Sequence, residues 1–491
     1  MLTFAIERDA QEPLYMQIKR HLIRQIENGI LLPGDRLPAT RDLAEQMGVA
    51  RISVVAAYDD LKAEGYITSQ VGRGTFVLDR AGDFGGPAPT AGASRAPNAE
   101  LRDLLALAER PGVINFSHGT PADEFLPVGL MREAIDAVLT RDGSAAIAYE
   151  VPEGYPPLRD LVARRLTRLG IHATASEVLV TGGCQQALDL AVQALLKPGD
   201  VLLTANPTYA GMLDIAHARG VGVVGAPVDE DGMQTDKLED LILQHRPRLL
   251  YVAPTYHNPT GTIMPTHRRR HLIELAGRYH LPVLEDGVYE DLHFSGEIPP
   301  PLKALDENGL VLYASSFSKI LLPGMRIGYI VVSEGLGQRL ARVKRAADIC
   351  TPALNQRAVH LVLESGRLYE QIAAAKNACR ERRDAMLSAL TRYLPQARWQ
   401  TPKGGLYLWA GLPHDGPTAT ELYLHALRLG VAFAMGPLFY TGDEGAYFMR
   451  LNIAAYAPDQ IEEGIRRLGN AWRELASGHV AAQNGSPTPF V

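Results

Sequence analysis

At 491 residues the chain is longer than one hydrophobic core usually organises, so two or more domains are expected. Its 46% hydrophobic and 21% charged residues are those of an ordinary globular protein, and no apolar run reaches the roughly 18 residues of a membrane span. A net charge of −6 excludes a generally basic nucleic-acid-coating protein; three cysteines without paired spacing, Cys184, Cys350 and Cys379, exclude a disulfide framework or a zinc site and fit a cytoplasmic protein with no metal.

Glu7, Arg8 and Asp9 rule out a signal peptide at the amino terminus. Leu14, Ile18, Leu22 and Ile26 then recur every four residues up to Asn28 and Gly29, which predicts an amphipathic helix closed by glycine. Thr40 is expected to cap a short second helix with Leu43 and Met47 facing inward and Gly48 ending it. Residues 51–64 predict a third helix with Val54, Tyr58 and Leu61 on one face and Gly65 after it. Tyr66 to Gln70 and Thr75 to Leu78 predict two strands joined by Val71, Gly72, Arg73 and Gly74. This order is that of a winged helix-turn-helix over residues 1–80.

That segment holds ten Lys and Arg against eleven Asp and Glu, so DNA reading must rest on placement. Arg51 and Ser53 occupy the first turn of the third helix, where a recognition helix meets base edges. Arg41 starts the helix before it, within reach of backbone or a base edge, and Arg73, between Gly72 and Gly74, would ride the wing into the minor groove. The stretch PGDRLPATRDLAEQMGVARISVVAAYDDLKAEGYI, followed by GRGTFV, resembles the GntR family of regulators. Ala39 and Ala50 stand where that family usually has serines, and Arg36 is read as stabilising the fold.

Fifteen of the nineteen residues 81–99 are Ala, Gly, Pro, Ser or Thr, a composition too poor in large apolar groups to fold. A flexible linker is assigned to residues 81–108, a ligand-binding body to 109–476 and a disordered tail to 477–491. Within the body, seven candidate strands near 178–181, 201–204, 221–228, 248–253, 282–286, 311–315 and 327–332 alternate with helix-like stretches. Such alternation predicts a mostly parallel sheet with ligands at the carboxyl ends of its strands.

Five motifs fall at those strand ends. Thr181-Gly-Gly-Cys-Gln-Gln turns a strand into a helix, so the backbone at Gly183, Cys184 and Gln185 can face a phosphate. Asn206-Pro-Thr-Tyr offers the Tyr209 ring to a flat heterocycle, and His257-Asn-Pro-Thr-Gly offers Asn258 as a donor to a phenolate oxygen. Glu285-Asp-Gly-Val-Tyr presents Asp286 and Tyr289; a carboxylate against a pyridine nitrogen keeps the ring protonated and electron-withdrawing. Ser315-Ser-Phe-Ser-Lys supplies Lys319 for a Schiff base, with Ser316, Ser318 and Arg326 for phosphate oxygens. Each motif alone has a plainer reading, Tyr209 as core packing and Asp286 as a helix cap or metal ligand; their order argues for one site. His257 is read as a packed histidine and His267-Arg-Arg-Arg-His271 as a solvated helix face.

These motifs resemble the fold-type I aminotransferases. The resemblance implies pyridoxal 5'-phosphate as cofactor, with Lys319 and Asp286 as catalytic residues, in an α/β large domain with a seven-stranded sheet beside a smaller α+β domain. It also implies that Tyr149, in Tyr-x4-Gly-x3-Leu-Arg, reaches a partner subunit's phosphate, and that Arg450, in Phe-Met-Arg-Leu-Asn, grips a carboxylate. A winged helix joined to such a body resembles the MocR or GabR-like subfamily of GntR regulators. That implies a homodimer binding a double-stranded DNA operator and sensing an amino compound or B6 vitamer. The alternative is an active aminotransferase with an appended autoregulatory DNA-binding domain.

Overall fold

The computed structural model describes residues 14–27, 35–63, 66–70, 74–77, 105, 107–320, 323–442 and 444–484. The chain divides into two compact units, Met1–Ala88 and Pro89–Val491.

The first unit contains α1 (Leu14–Glu27), β1 (Arg36–Leu37), α2 (Thr40–Met47), α3 (Arg51–Ala63), β2 (Ile67–Gln70) and β3 (Gly74–Val77). Of the inward faces expected of the three helices, Ile18, Leu22, Leu43, Val54, Tyr58 and Leu61 are buried and share one core with Leu37, Ile67 and Val77, while Leu14 and Met47 are half-buried. Fully burying a side chain of this size contributes about 1.5–3 kcal/mol. The Tyr58 hydroxyl donates to the Pro38 carbonyl at 2.9 Å, tying α3 to the approach of α2. Thr40 does not cap α2. The Leu43 amide already bonds the Ala39 carbonyl at 2.9 Å, so Ala39 holds the cap position without a side-chain bond and Thr40 lies inside the first turn. Gly48 closes α2 in the left-handed conformation, φ 62°. β1 was not foreseen, because two residues carry no periodicity; it pairs with β3 and makes a three-stranded sheet of order β1-β3-β2. Asn28, Gly29, Gly65, Gly72, Arg73, Leu78 and the linker segment 81–104 lie outside the described residues.

The second unit is ordered earlier than the linker boundary at 108 implied: Leu107–Glu109 forms a 3-10 turn with Ala108 buried in a core. After β4 (Ile114–Asn115) comes the large sheet of β5 (Val178–Thr181), β6 (Val201–Asn206), β7 (Gly222–Asp229), β8 (Gly232–Met233), β9 (Leu249–Val252), β10 (Val283–Asp286), β11 (Val311–Ser316) and β12 (Gly328–Val331). Its order is β5-β12-β11-β10-β9-β6-β7-β8. The seven expected strands are joined by an eighth, β8, a two-residue return strand antiparallel to β7 and too short for a sequence signal. The centre, from β11 through β10, β9 and β6 to β7, is parallel, while β12 runs antiparallel to both β11 and β5. Strands β5, β9, β10, β11 and β12 are buried at every residue, as a sheet covered on both faces requires.

The smaller subdomain holds β13 (Arg398–Trp399), β14 (Tyr407–Gly411), β15 (Val431–Ala432), β16 (Ala434–Met435) and β17 (Phe448–Asn452). Four of them form a sheet of order β13-β14-β17-β16, and β15 pairs in parallel with β4. The last helix runs Pro458–Asn484, past Ser477 where the disordered tail was placed. Gly478 does not end it, and residues 485–491 lie outside the described residues.

Candidate cofactor cavity and DNA-reading face

Four of the five motifs end at, or turn away from, carboxyl ends of the large sheet: Thr181 ends β5, Asn206 ends β6, Asp286 ends β10 and Ser316 ends β11. There they enclose a cavity of about 310 Å³, lined by Cys184, Gln185, Tyr209, Asn258, Asp286, Tyr289, Ser316, Ser318, Lys319, Arg326 and Arg450. All eleven were singled out from sequence. Gly119, Tyr251 and Tyr407 line it too and were not. A larger groove of about 680 Å³ runs past Trp399, Trp409 and Phe448; it contains no lysine, so the amine chemistry belongs to the smaller cavity.

The Lys319 amine donates to the Gly119 carbonyl. Asp286 is buried; its Oδ2 accepts from the Tyr251 hydroxyl at 3.0 Å, and its Oδ1 from the Val288 amide at 3.2 Å and the Cys184 thiol at 3.6 Å. Burial raises its pKa above the ordinary carboxylate value, partly offset by those donors and by the Lys319 charge. The Tyr209 hydroxyl donates to Gln185 Oε1 at 2.9 Å, and Gln185 Nε2 to the Gly211 carbonyl at 3.1 Å, which fixes the ring's position.

The turn into the helix Cys184–Leu195 is drawn unusually close to its neighbours. A Cβ on Gly183, φ 98°, would stand 2.4 Å from Arg326 Nη2, and one on Gly328 would stand 2.6 Å from the Gly183 carbonyl carbon. Arg326 donates to the Gly182 carbonyl at 3.0 Å and stays exposed. The first-turn amides of a helix, a guanidinium and the buried hydroxyls of Ser316 and Ser318 thus meet at one rim, a donor set suited to a phosphate dianion.

At the other end, Arg450 is buried between the rings of Tyr407 and Phe439, its Cζ 4.0 and 4.8 Å from their centroids. Its Nη1 donates to Asn258 Oδ1 at 2.8 Å and its Nη2 to the Ser117 carbonyl at 2.7 Å, while Nε has no partner among the described residues. Because Arg450 takes the Asn258 carbonyl oxygen, the amide nitrogen remains as the donor. A buried orphan donor beside a lysine and an anion cradle fits an anionic ligand that also carries an amine.

Tyr149 does not join the cavity: it is 84% exposed on its own chain. His257 is packed, as expected; its Nδ1 pairs with Thr260 Oγ1 at 2.8 Å and burial pushes its pKa down to about 4. The basic run 267–271 is a solvated face only in part: His267 and Arg270 are exposed, but Arg268 and Arg269 turn inward. Arg269 is fully buried and donates to the Met264, Pro254 and Pro300 carbonyls, and Arg268 clamps Asp229 through two bonds of 2.6 and 2.7 Å. A guanidinium can exchange water for several carbonyls at once, which charge counting does not foresee.

On the first unit Arg41 and Arg51 are exposed and Ser53 is half-buried, its amide bonding the Ala50 carbonyl at 3.0 Å. Beside Arg51, Ile52 is 76% exposed in the first turn of α3, which sequence reading passed over. Lys19 and Lys62 are paired with Asp60 and Asp59, so part of the unit's acidity is spent on its own lysines. Among the described residues no group of histidines, cysteines and acids could hold a metal, and no helix is long and apolar enough to cross a membrane.

Residues 111–468 match the family model "Aminotransferase class I and II", and residues 14–77 match "Bacterial regulatory proteins, gntR family". Over 95% of its length the chain is 32% identical to 97% of YdfD of Bacillus subtilis, an uncharacterized HTH-type transcriptional regulator. It is equally 32% identical, over 96% of its length, to 99% of the HTH-type transcriptional regulator TauR of Rhodobacter capsulatus. Among solved structures, the α-aminoadipate aminotransferase LysN of Thermus thermophilus, complexed with N-(5'-phosphopyridoxyl)-L-leucine, superposes with a TM-score of 0.73. It is 35% identical and covers 82% of this chain and all of its own. The cavity's donor set and these matches agree on pyridoxal phosphate as the cofactor. The chain belongs to the class I and II aminotransferase family, in a form whose amino-terminal unit is a gntR-family DNA-binding module.

Proposed function

We propose that this protein is a cytoplasmic, homodimeric transcription regulator whose body binds pyridoxal phosphate and senses an amino compound or B6 vitamer. The observation that carries the reading is a lysine-centred cavity in the same chain as a helix-turn-helix whose first recognition turn is exposed. The full-length likeness to TauR and YdfD supports it.

In this reading Lys319 would hold the cofactor through its amine, as a Schiff base. Arg326, Ser316, Ser318 and the backbone at Gly183, Cys184 and Gln185 would hold its phosphate, Asp286 would serve its ring nitrogen, Asn258 with Tyr289 its phenolate oxygen, and Tyr209 its ring face. Tyr149, exposed on its own chain, completes the phosphate site of a second copy, and Arg450 takes the effector's carboxylate. When bound, the cofactor supplies an electron sink for the α carbon of an amine. Arg41, Arg51 and Ser53, with Gly72 and Arg73 of the wing, contact DNA. An effector changes operator affinity only by favouring one body state over another.

The second reading is a working aminotransferase, favoured by Lys319, Asp286 and Arg450 meeting in one cavity. One experiment separates the two. Cofactor-loaded protein is titrated on its operator with and without candidate amino compounds, alongside Lys319→Ala. A change in affinity of about fivefold or more, absent in Lys319→Ala, is expected. Sustained turnover with an amino donor and keto acid, with operator affinity indifferent to ligand, would overturn the sensor reading in favour of the enzyme.

A further inference from the structure

Four phenols face the cavity. Tyr251 donates to Asp286, Tyr209 to Gln185 and Tyr289 to Tyr407, the last at 3.2 Å. Tyr407 alone donates to nothing among the described residues. Its hydroxyl points at the reacting end: a Cβ on Gly119 would stand 2.7 Å from Tyr407 Oη and 3.4 Å from Lys319 Nζ, so hydroxyl and amine converge on one point. Its ring lies against the Arg450 guanidinium.

We propose that Tyr407 is a positioning residue, its hydroxyl oxygen accepting a hydrogen bond from the protonated nitrogen at Lys319 or from the ligand nitrogen that takes its place. The inference rests on the cofactor reading of the cavity and goes beyond it. Tyr289 occupies one lone pair of the Tyr407 oxygen and leaves the other for a donor on the lysine side. Burial would push the Tyr407 phenol up, but the charges of Arg450 and Lys319 and the bond from Tyr289 outweigh it and hold the pKa below the ordinary value. These surroundings favour negative charge on the oxygen where a cationic nitrogen must be held, and the Tyr407 ring sets that oxygen beside the arginine proposed to grip the carboxylate.

The test is the pH dependence of the visible absorbance of the full chain loaded with pyridoxal phosphate. Tyr407→Phe keeps the ring against Arg450 and removes only the oxygen. The protonated nitrogen loses an acceptor, so its midpoint should fall by about one pH unit with cofactor stoichiometry unchanged. Tyr407→His, which restores a ring-borne acceptor, should recover part of that shift. A Tyr407→Phe midpoint equal to wild type overturns the proposal, and so does loss of cofactor by this variant, which would mark a merely structural role. A wild-type protein that takes up no cofactor would instead overturn the underlying reading of the cavity.

Discussion

The two working surfaces of this protein are built in opposite ways. In the body, the candidate ligand-binding groups are mostly buried and hold one another: Arg450 holds Asn258, Tyr251 holds Asp286, Gln185 holds Tyr209. In the first unit, Arg41 and Arg51 are exposed and have no side-chain partner among the described residues. A substitution in the cavity therefore removes a ligand contact and also orphans a buried neighbour, which costs more than the lost bond. A substitution on the DNA face removes a contact alone. Function and stability should be coupled in the first region and separable in the second.

Arg450→Ala is the strongest test of that coupling. It deletes a charged donor and leaves the buried Asn258 Oδ1 and Ser117 carbonyl without it. Carboxylate effectors should bind more weakly by about 2–3 kcal/mol, roughly 30- to 150-fold, as lost hydrogen bonds to a charged group imply. The melting temperature should fall as well, while cofactor loading persists because the phosphate cradle lies at the opposite end. A variant with weaker effector binding and unchanged melting would break the comparison; unchanged binding of carboxylates would leave Arg450 without its assigned role.

Arg51→Ala asks the converse on the exposed side. Losing a bidentate base contact should weaken specific operator binding by about 1–3 kcal/mol and relax preference at one base pair. The melting temperature should not move. Equal losses on operator and random DNA would make Arg51 a phosphate contact.

The same contrast governs what could be read from the sequence. The motifs around Lys319, Asp286 and Asn258 were legible because each chemistry-bearing residue sits at the end of a strand or in the turn that follows it, and such turns are marked by residues such as Gly182 and Pro259. Tyr251 and Tyr407 were not: both lie within strands, in LLYV and YLWAG, where an aromatic reads as core until the partner across the cavity is known. Arg269 was misread for a related reason, since its partners are the backbone carbonyls of Pro254, Met264 and Pro300 and one hydroxyl, that of Thr255, and carbonyls are announced by no side-chain pattern. In the first unit the three helices followed from four-residue periodicity. The two-residue β1 has none, and the start of α2 was set by the Ala39 carbonyl rather than by the hydroxyl of Thr40.

Ile52 is the smallest and most discriminating case. It lies in the first turn of α3 between Arg51 and Ser53, and its 76% exposure puts a branched apolar side chain into solvent where the unit's core has no use for it. In the major groove an apolar side chain has one specific partner, the C5-methyl group of thymine, which differs from cytosine at that edge. Burying two or three methyl or methylene groups against it is worth about 0.8 kcal/mol each at most. Ile52→Ala should therefore weaken operator binding by about 1 kcal/mol, with the loss confined to operators carrying thymine at the contacted step and absent when uracil replaces it. Because Ile52 is not part of the core, the melting temperature should stay the same or rise slightly, given the better helix propensity of alanine. If instead Ile52→Ala destabilised the unit, the exposed face would share the interlocking seen in the cavity, and the division between the two surfaces would fail at its most exposed residue.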